Sequence, residues 1–369
     1  MWRISAETRT YDWGSRTAIP EFLGVPATGE PMAELWFGTH PLGMSHLEDE
    51  RPLAAVAGDL PFMLKVLAPD QPLSIQVHPS NAMAEAGFAA ENASGVPPAD
   101  PSRDFKDPHH KPEMVYALER FDTLLGVRPI EEISALLAPL GLPLAKELLD
   151  RVAEGPFAVV ELLLSQPPAA EAVTEFVAAC AARVDVDDIG RGYATVVEAA
   201  AVHPGDPGVV LALLLNRVTL EPGEAAFVGP GLIHAHLSGL CLEVMTSSDN
   251  VFRAGLTTKK VNAVGVVESL VADDNRGARI EAVRTGGETD VFAPELEGAA
   301  IFALSVTRGA GELPGSGPRI LLCVDGQLTV ATDDDSVLPL VRGQAAFASA
   351  DDGRLTISGD GTLAQAYVP

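Results

Sequence analysis

The 369-residue sequence predicts a mainly β fold with one α-helical insertion, and three observations carry that expectation. The hydrophobic period changes twice, from about 2 to about 3.6 residues near Pro129 and back again near Leu220. The run Leu73-Ser74-Ile75-Gln76-Val77-His78 alternates strictly between apolar and polar residues. Finally, Leu220-Glu221-Pro222-Gly223-Glu224-Ala225-Ala226-Phe227 recurs as Leu340-Val341-Arg342-Gly343-Gln344-Ala345-Ala346-Phe347, an offset of 120 residues that also aligns Leu237-Ser238-Gly239 with Ile357-Ser358-Gly359. An ungapped repeat of this kind implies two related β-domains. The copies differ where it matters: His234 and His236 fall opposite Arg354 and Thr356, so only the first copy can hold a metal.

Taken in order, residues 1–60 read as short strands and turns, with Tyr11-Asp12-Trp13-Gly14-Ser15 and Glu34-Leu35-Trp36-Phe37-Gly38-Thr39-His40-Pro41 as clusters. Strands follow at 61–68 and 73–78, the first apolar on both faces except for Lys65. Ser80 is a suitable N-cap for a helix over 81–91. A Pro/Asp/Ser-rich loop over 93–110 is long enough to suggest function, and it ends in Asp107-Pro108-His109-His110-Lys111-Pro112-Glu113 before a strand at 114–118. Pro129 opens a helix with Ile133, Leu136, Leu137 and Leu140 on one face, and Val173, Phe176, Val177 and Cys180 repeat the spacing. Residues 129–217 therefore form a helical block, and the chain is largely β from Leu220 onward.

The net charge of −26 argues against partnership with nucleic acid or an anionic membrane. No stretch is long and apolar enough to span a bilayer, and Met1-Trp2-Arg3-Ile4-Ser5 does not open a signal peptide. Cys180, Cys241 and Cys323 stand far apart in apolar surroundings, which reads as buried thiols of a cytoplasmic protein rather than a disulfide framework or a paired-cysteine zinc site.

The alternating strand at 73–78 puts Ser74, Gln76 and His78 on one face, with Gln76 and His78 about 7 Å apart along it. That face either meets water or lines a barrel. Gln76, His78, Glu113 and His234 can close a four-coordinate metal site, although each histidine taken singly also fits a structural role. Lys65, Lys111, Arg253 and Lys259 form a basic set on a strongly acidic chain, suited to a phosphate or carboxylate group.

The segments 73–80, His110-Lys111-Pro112-Glu113, Pro230 through Leu237, Glu243-Val244-Met245 and Ser248-Asp249-Asn250-Val251-Phe252-Arg253-Ala254-Gly255-Leu256-Thr257 together resemble the type I mannose-6-phosphate isomerases. Trp13-Gly14 and Glu34-Leu35-Trp36-Phe37-Gly38 resemble that family's N-terminal strands, so the likeness runs from about residue 10 to 263. It implies two cupin-like jelly-roll domains plus a helical domain: residues 1–128 with 218–265 as the zinc-binding catalytic cupin, 129–217 helical, and 266–369 a cupin-like domain without metal. It also implies one Zn²⁺ on Gln76, His78, Glu113 and His234, a catalytic set of Arg253, Lys111, His110, Asp249, Glu243 and Lys65, and a phosphate end at Ser74 and Lys259. The partner implied is a small sugar phosphate, mannose 6-phosphate exchanging with fructose 6-phosphate through an enediol(ate), on a monomer or weak homodimer. Three positions depart from the family: His236 for the usual Tyr, Thr258 for Pro and Asn262 for Asp. The chain does not single out a catalytic base. Competing expectations are another metal-dependent cupin enzyme, such as an Fe(II) oxygenase using His78, Glu113 and His234, or a non-catalytic sugar-binding cupin.

Overall fold

Two antiparallel sheets face each other across the centre of the molecule, and each has its outer face covered by another layer. In this computed structural model, which describes residues 1–97, 100–186, 188–271 and 279–369, the first sheet has seven strands. Their order is Arg279–Ile280, Ala225–Val228, Glu113–Ala117, Cys241–Thr246, Phe62–Leu67, Glu34–Phe37 and Glu7–Arg9. The second has five, in the order Phe252–Gly255, Ile75–Val77, His234–Ser238, Phe121–Val127 and Leu215–Leu220.

Alternation explains the layering. Ile75 and Val77 turn away from the first sheet and join Leu124, Ile233, Ala235 and Phe252 in one core with the helical block. That block contributes Leu136 and Leu137 of helix Ile130–Leu137, and Val173, Phe176 and Cys180 of helix Ala170–Ala181. On the other side, Phe62, Leu64 and Val66 point away from the second sheet into a core with Phe302, Leu304, Ile320 and Phe347. The strand Phe62–Leu67 is apolar on both faces because both are buried, and its other row (Met63, Lys65, Leu67) faces inward.

The third sheet has ten strands and holds most of the C-terminal chain, including the long strands Arg319–Thr332 and Leu355–Tyr367. Three short segments cross the expected domain limits, one of them His46–Leu47, which joins the third sheet beside Trp2–Ser5. Trp2–Ser5 pairs with Ala345–Ala348, and Arg279–Ile280 pairs with Ala225–Val228, so each β-unit lends a strand to the other. Edge strands are stabilised wherever a neighbour offers free backbone groups, which local sequence does not reveal.

The internal repeat is conformational as well as sequential. Gly223 and Gly343 occupy φ of 94° and 84°, and Gly239 and Gly359 take 118° and 124°, so matching turns use the left-handed region at matching places. Ser80 caps helix Asn81–Ala93 by accepting a bond from the Met83 amide at 3.2 Å, as its position predicts. Asn262 likewise caps helix Ala263–Ser269 by accepting from the Gly265 amide at 2.8 Å, a role that an aspartate would also fill. All three cysteines are free and buried. Among the described residues no helix is long and apolar enough to cross a membrane.

Candidate active site

The facing sheets enclose a cavity of about 670 Å³ whose wall carries Ser74, Gln76, Lys65, Lys111, Asp249, Arg253 and Lys259. Beneath it, His78, Glu113 and His234 bring one ligand atom each to within 4.8 Å of one another, all three side chains buried. His78 and His234 belong to the five-stranded side and Glu113 to the seven-stranded side. His78 Nδ1 lies 2.8 Å from the Asn250 carbonyl, and His234 Nδ1 lies 3.0 Å from that of Leu232. A carbonyl only accepts, so each Nδ1 carries the hydrogen and each Nε2 presents a lone pair toward the centre. His78 Nε2, His234 Nε2 and Glu113 Oε2 have no hydrogen-bond partner. Three buried, unpartnered donor atoms converging from two sheets fit a divalent metal of the zinc type.

Gln76 stands directly opposite His234 on one side and Arg253 on the other, so Arg253, Gln76 and His234 form one row across the sheet and share a face. Burial lowers the Arg253 pKa, and among the described residues its guanidinium makes no ion pair. Lys259 also lines the cavity; burial first, then Arg253, lowers its pKa. Two cations on one cavity wall, both drawn down by desolvation and Lys259 also by Arg253, mark a place for an anion.

Charge is packed tightly around the trio. Lys111 Nζ lies 2.6 Å from Glu113 Oε1. Burial opposes ionisation of Glu113, but Lys111 and His78 outweigh it and hold the carboxyl well below its usual range. Burial pulls the His78 imidazole down to about 4, against the pull of Glu113. Lys65 sits 2.9 Å from Glu243 and 3.9 Å from Glu34, with its ammonium 4.7 Å from the Trp36 ring centre. His236, 2% exposed, has Nδ1 3.0 Å from the Thr123 hydroxyl and Nε2 3.8 Å from Glu243 Oε1. It belongs to the Lys65–Glu243 network beside the trio.

Not every expected residue meets the cavity. His110 is absent from its wall; burial, countered by Glu297, lowers its pKa, and its backbone bonds to Asn81 and Thr246. Glu243 lies behind Lys65 as its partner. Conversely, His40 and His203 line the cavity without having been singled out as site residues. His203 comes from the end of helix Gly192–Val202, where only a known fold would place a helical residue at a barrel mouth.

Fold and site together define a metal-binding cupin-type enzyme with a pocket for an anionic substrate. The comparisons name its kind. Residues 1–57 and 52–130 match the family model of the phosphomannose isomerase type I catalytic domain. Mannose-6-phosphate isomerase of Escherichia coli K12 is 34% identical, the match covering 100% of this chain and 99% of that protein. The Homo sapiens enzyme is 28% identical over 95% of this chain and 93% of its own length. A crystal structure of zinc-bound mannose 6-phosphate isomerase superposes with a TM-score of 0.86 at 33% identity, covering 100% of this chain and 99% of that one. The apo enzyme of Salmonella typhimurium gives 0.87 at 32%, with the same coverage. The chain belongs to the type I phosphomannose isomerases.

Proposed function

We propose that this protein interconverts mannose 6-phosphate and fructose 6-phosphate, with Gln76, His78, Glu113 and His234 holding a zinc ion. The observation that carries the reading is the row Arg253–Gln76–His234, which runs from an unpaired cation on the cavity wall to the buried donor trio beneath it. When bound, zinc supplies Lewis-acid stabilisation of the negative charge that develops on the sugar oxygens.

The protein's own groups do the rest. Lys111 neutralises Glu113 and holds it in place, and its ammonium lies on the cavity wall where an enediolate oxygen needs a cation. Arg253 stabilises the same developing charge. Ser74 and Lys259 receive the phosphate, Ser74 continuing the inward face of Gln76 and His78. The proton moving between C2 and C1 is assigned to Asp249. Its Oδ1 makes no hydrogen bond among the described residues, whereas Glu243 is committed to Lys65 and His110 lies off the wall.

Incubating the purified protein with mannose 6-phosphate should yield fructose 6-phosphate, stop on chelation and resume on adding zinc. Arg253→Ala should lose about 10²–10³-fold in kcat with zinc still bound. Turnover requiring oxygen, ligand binding without conversion, or near-normal kcat in Arg253→Ala would each overturn this reading.

A further inference from the structure

His40 and Asp249 meet because of sheet direction. Strands Glu34–Phe37 and Cys241–Thr246 both run antiparallel to Phe62–Leu67, on its two sides, so they run parallel to each other and leave the sheet at the same edge. The loops that follow them carry His40 and Asp249 to the same end of the cavity. His40 Nε2 lies 3.4 Å from Asp249 Oδ2.

Each partner is held from behind. His40 is 3% exposed and stands edge-on to Trp36, with ring centres 5.3 Å apart at 89°. The Leu42 amide donates to His40 Nδ1 at 3.2 Å, so in the neutral ring Nε2 carries the hydrogen, and that is the nitrogen facing Asp249. Asp249 is fixed through its backbone, its amide donating to Asp107 Oδ2 at 2.8 Å. Asp107 also accepts from the Ser248 hydroxyl at 2.9 Å, and the residue after Asp249, Asn250, accepts through its carbonyl from His78 Nδ1 at 2.8 Å. The Asp249 carboxylate therefore has one oxygen toward a tautomer-locked imidazole and one without a partner, in a loop tied directly to the metal trio.

We infer that His40 is a positioning residue that orients the Asp249 carboxylate toward the reacting carbons of the sugar. An imidazole fixed at Nδ1 turns its one N–H toward Oδ2 at 3.4 Å, and that electrostatic pull favours one rotamer of a carboxylate that has no other side-chain partner among the described residues. This rests on the assignment of proton transfer to Asp249, and one set of variants separates the two ideas.

Kinetics with mannose 6-phosphate on the zinc-loaded enzyme should show a loss in kcat of about 10- to 100-fold for His40→Ala, since misplacing a reacting group by about 1 Å costs that order. KM and zinc content should stay near wild type. His40→Gln, which keeps a side-chain N–H, should recover part of the loss. In an Asp249→Asn background, His40→Ala should cost little more, because the group it positions is already gone. If Asp249→Asn retains wild-type kcat, the assignment of Asp249 fails and the inference with it. If Asp249→Asn is impaired while His40→Ala is not, or if His40→Ala costs the same factor in both backgrounds, Asp249 stands and the positioning role of His40 is overturned.

Discussion

Lys65 shows how this protein tolerates charge in its interior. At 6% exposure, burial pulls its pKa down, but Glu243, Glu34 and Glu113 more than reverse this and raise it. Burial likewise pushes the Glu243 pKa up, and Lys65 outweighs it and holds the carboxyl at about 2. A carboxyl whose pKa falls from 4.5 unfolded to about 2 folded gives stability that is whole above the upper value and lost as pH drops toward the lower. Glu243→Gln should therefore destabilise the protein at neutral pH by about 3–5 kcal/mol, the cost of stranding one member of a buried pair. Denaturant unfolding across pH should show that deficit shrinking between 4.5 and 2; a deficit independent of pH would contradict the pairing. The need for a partner is legible in the sequence, as a lysine in an apolar strand. Its identity is not, because Glu34 and Glu243 become neighbours only through strands paired on either side of Phe62–Leu67. The same pairing brings His40 to Asp249, which explains why His40 could be read only as part of a cluster.

Elements are where the sequence speaks most clearly. The cap at Ser80 and the repeat at 220 and 340 depend on neighbours a few residues away and take the expected form, whereas the alternation expected over 73–78 is a strand only at Ile75–Val77, with Leu73 lining the cavity beside Ser74. Docking between elements is less legible because it depends on surfaces far apart in the chain. Helix Gly208–Leu213 meets strand Phe252–Gly255 so closely that a Cβ on Gly208 would lie 2.4 Å from the Leu256 amide nitrogen. Asp206 secures the same contact, accepting from the Thr257 amide at 3.1 Å. Residues 253–259 carry Arg253 and Lys259, so the helical block sets where those cations stand. Gly208→Ala should push that segment outward, lowering stability by about 1–3 kcal/mol through overpacking. It should also raise KM for mannose 6-phosphate severalfold while zinc content, measured by atomic absorption, is unchanged. An unaltered KM would show that the backbone contact does not govern where Arg253 and Lys259 stand.

The whole molecule explains what the C-terminal repeat does beside the candidate site. The outer face of the seven-stranded sheet presents Phe37, Leu64, Val66, Leu242 and Val244, and the C-terminal strands cover them with Phe302, Leu304, Ile320, Leu322 and Phe347 in one continuous core. Covering the first sheet is what the repeat suggests by default, and this shared core is its physical content. Exposing those five side chains would cost about 1.5–3 kcal/mol each, a sum comparable with the entire stability of a typical domain, about 5–15 kcal/mol. Cutting the chain after Ser269 would also leave Trp2–Ser5 without Ala345–Ala348, its partner in the third sheet. The truncated chain should therefore lack near-ultraviolet circular dichroism and a cooperative unfolding transition, and should fail to retain zinc through gel filtration, even though His78, Glu113 and His234 are all present. A fragment ending at Ser269 that unfolded cooperatively and converted mannose 6-phosphate would show the reverse, that the β-unit carrying the candidate site buries enough within itself to stand alone.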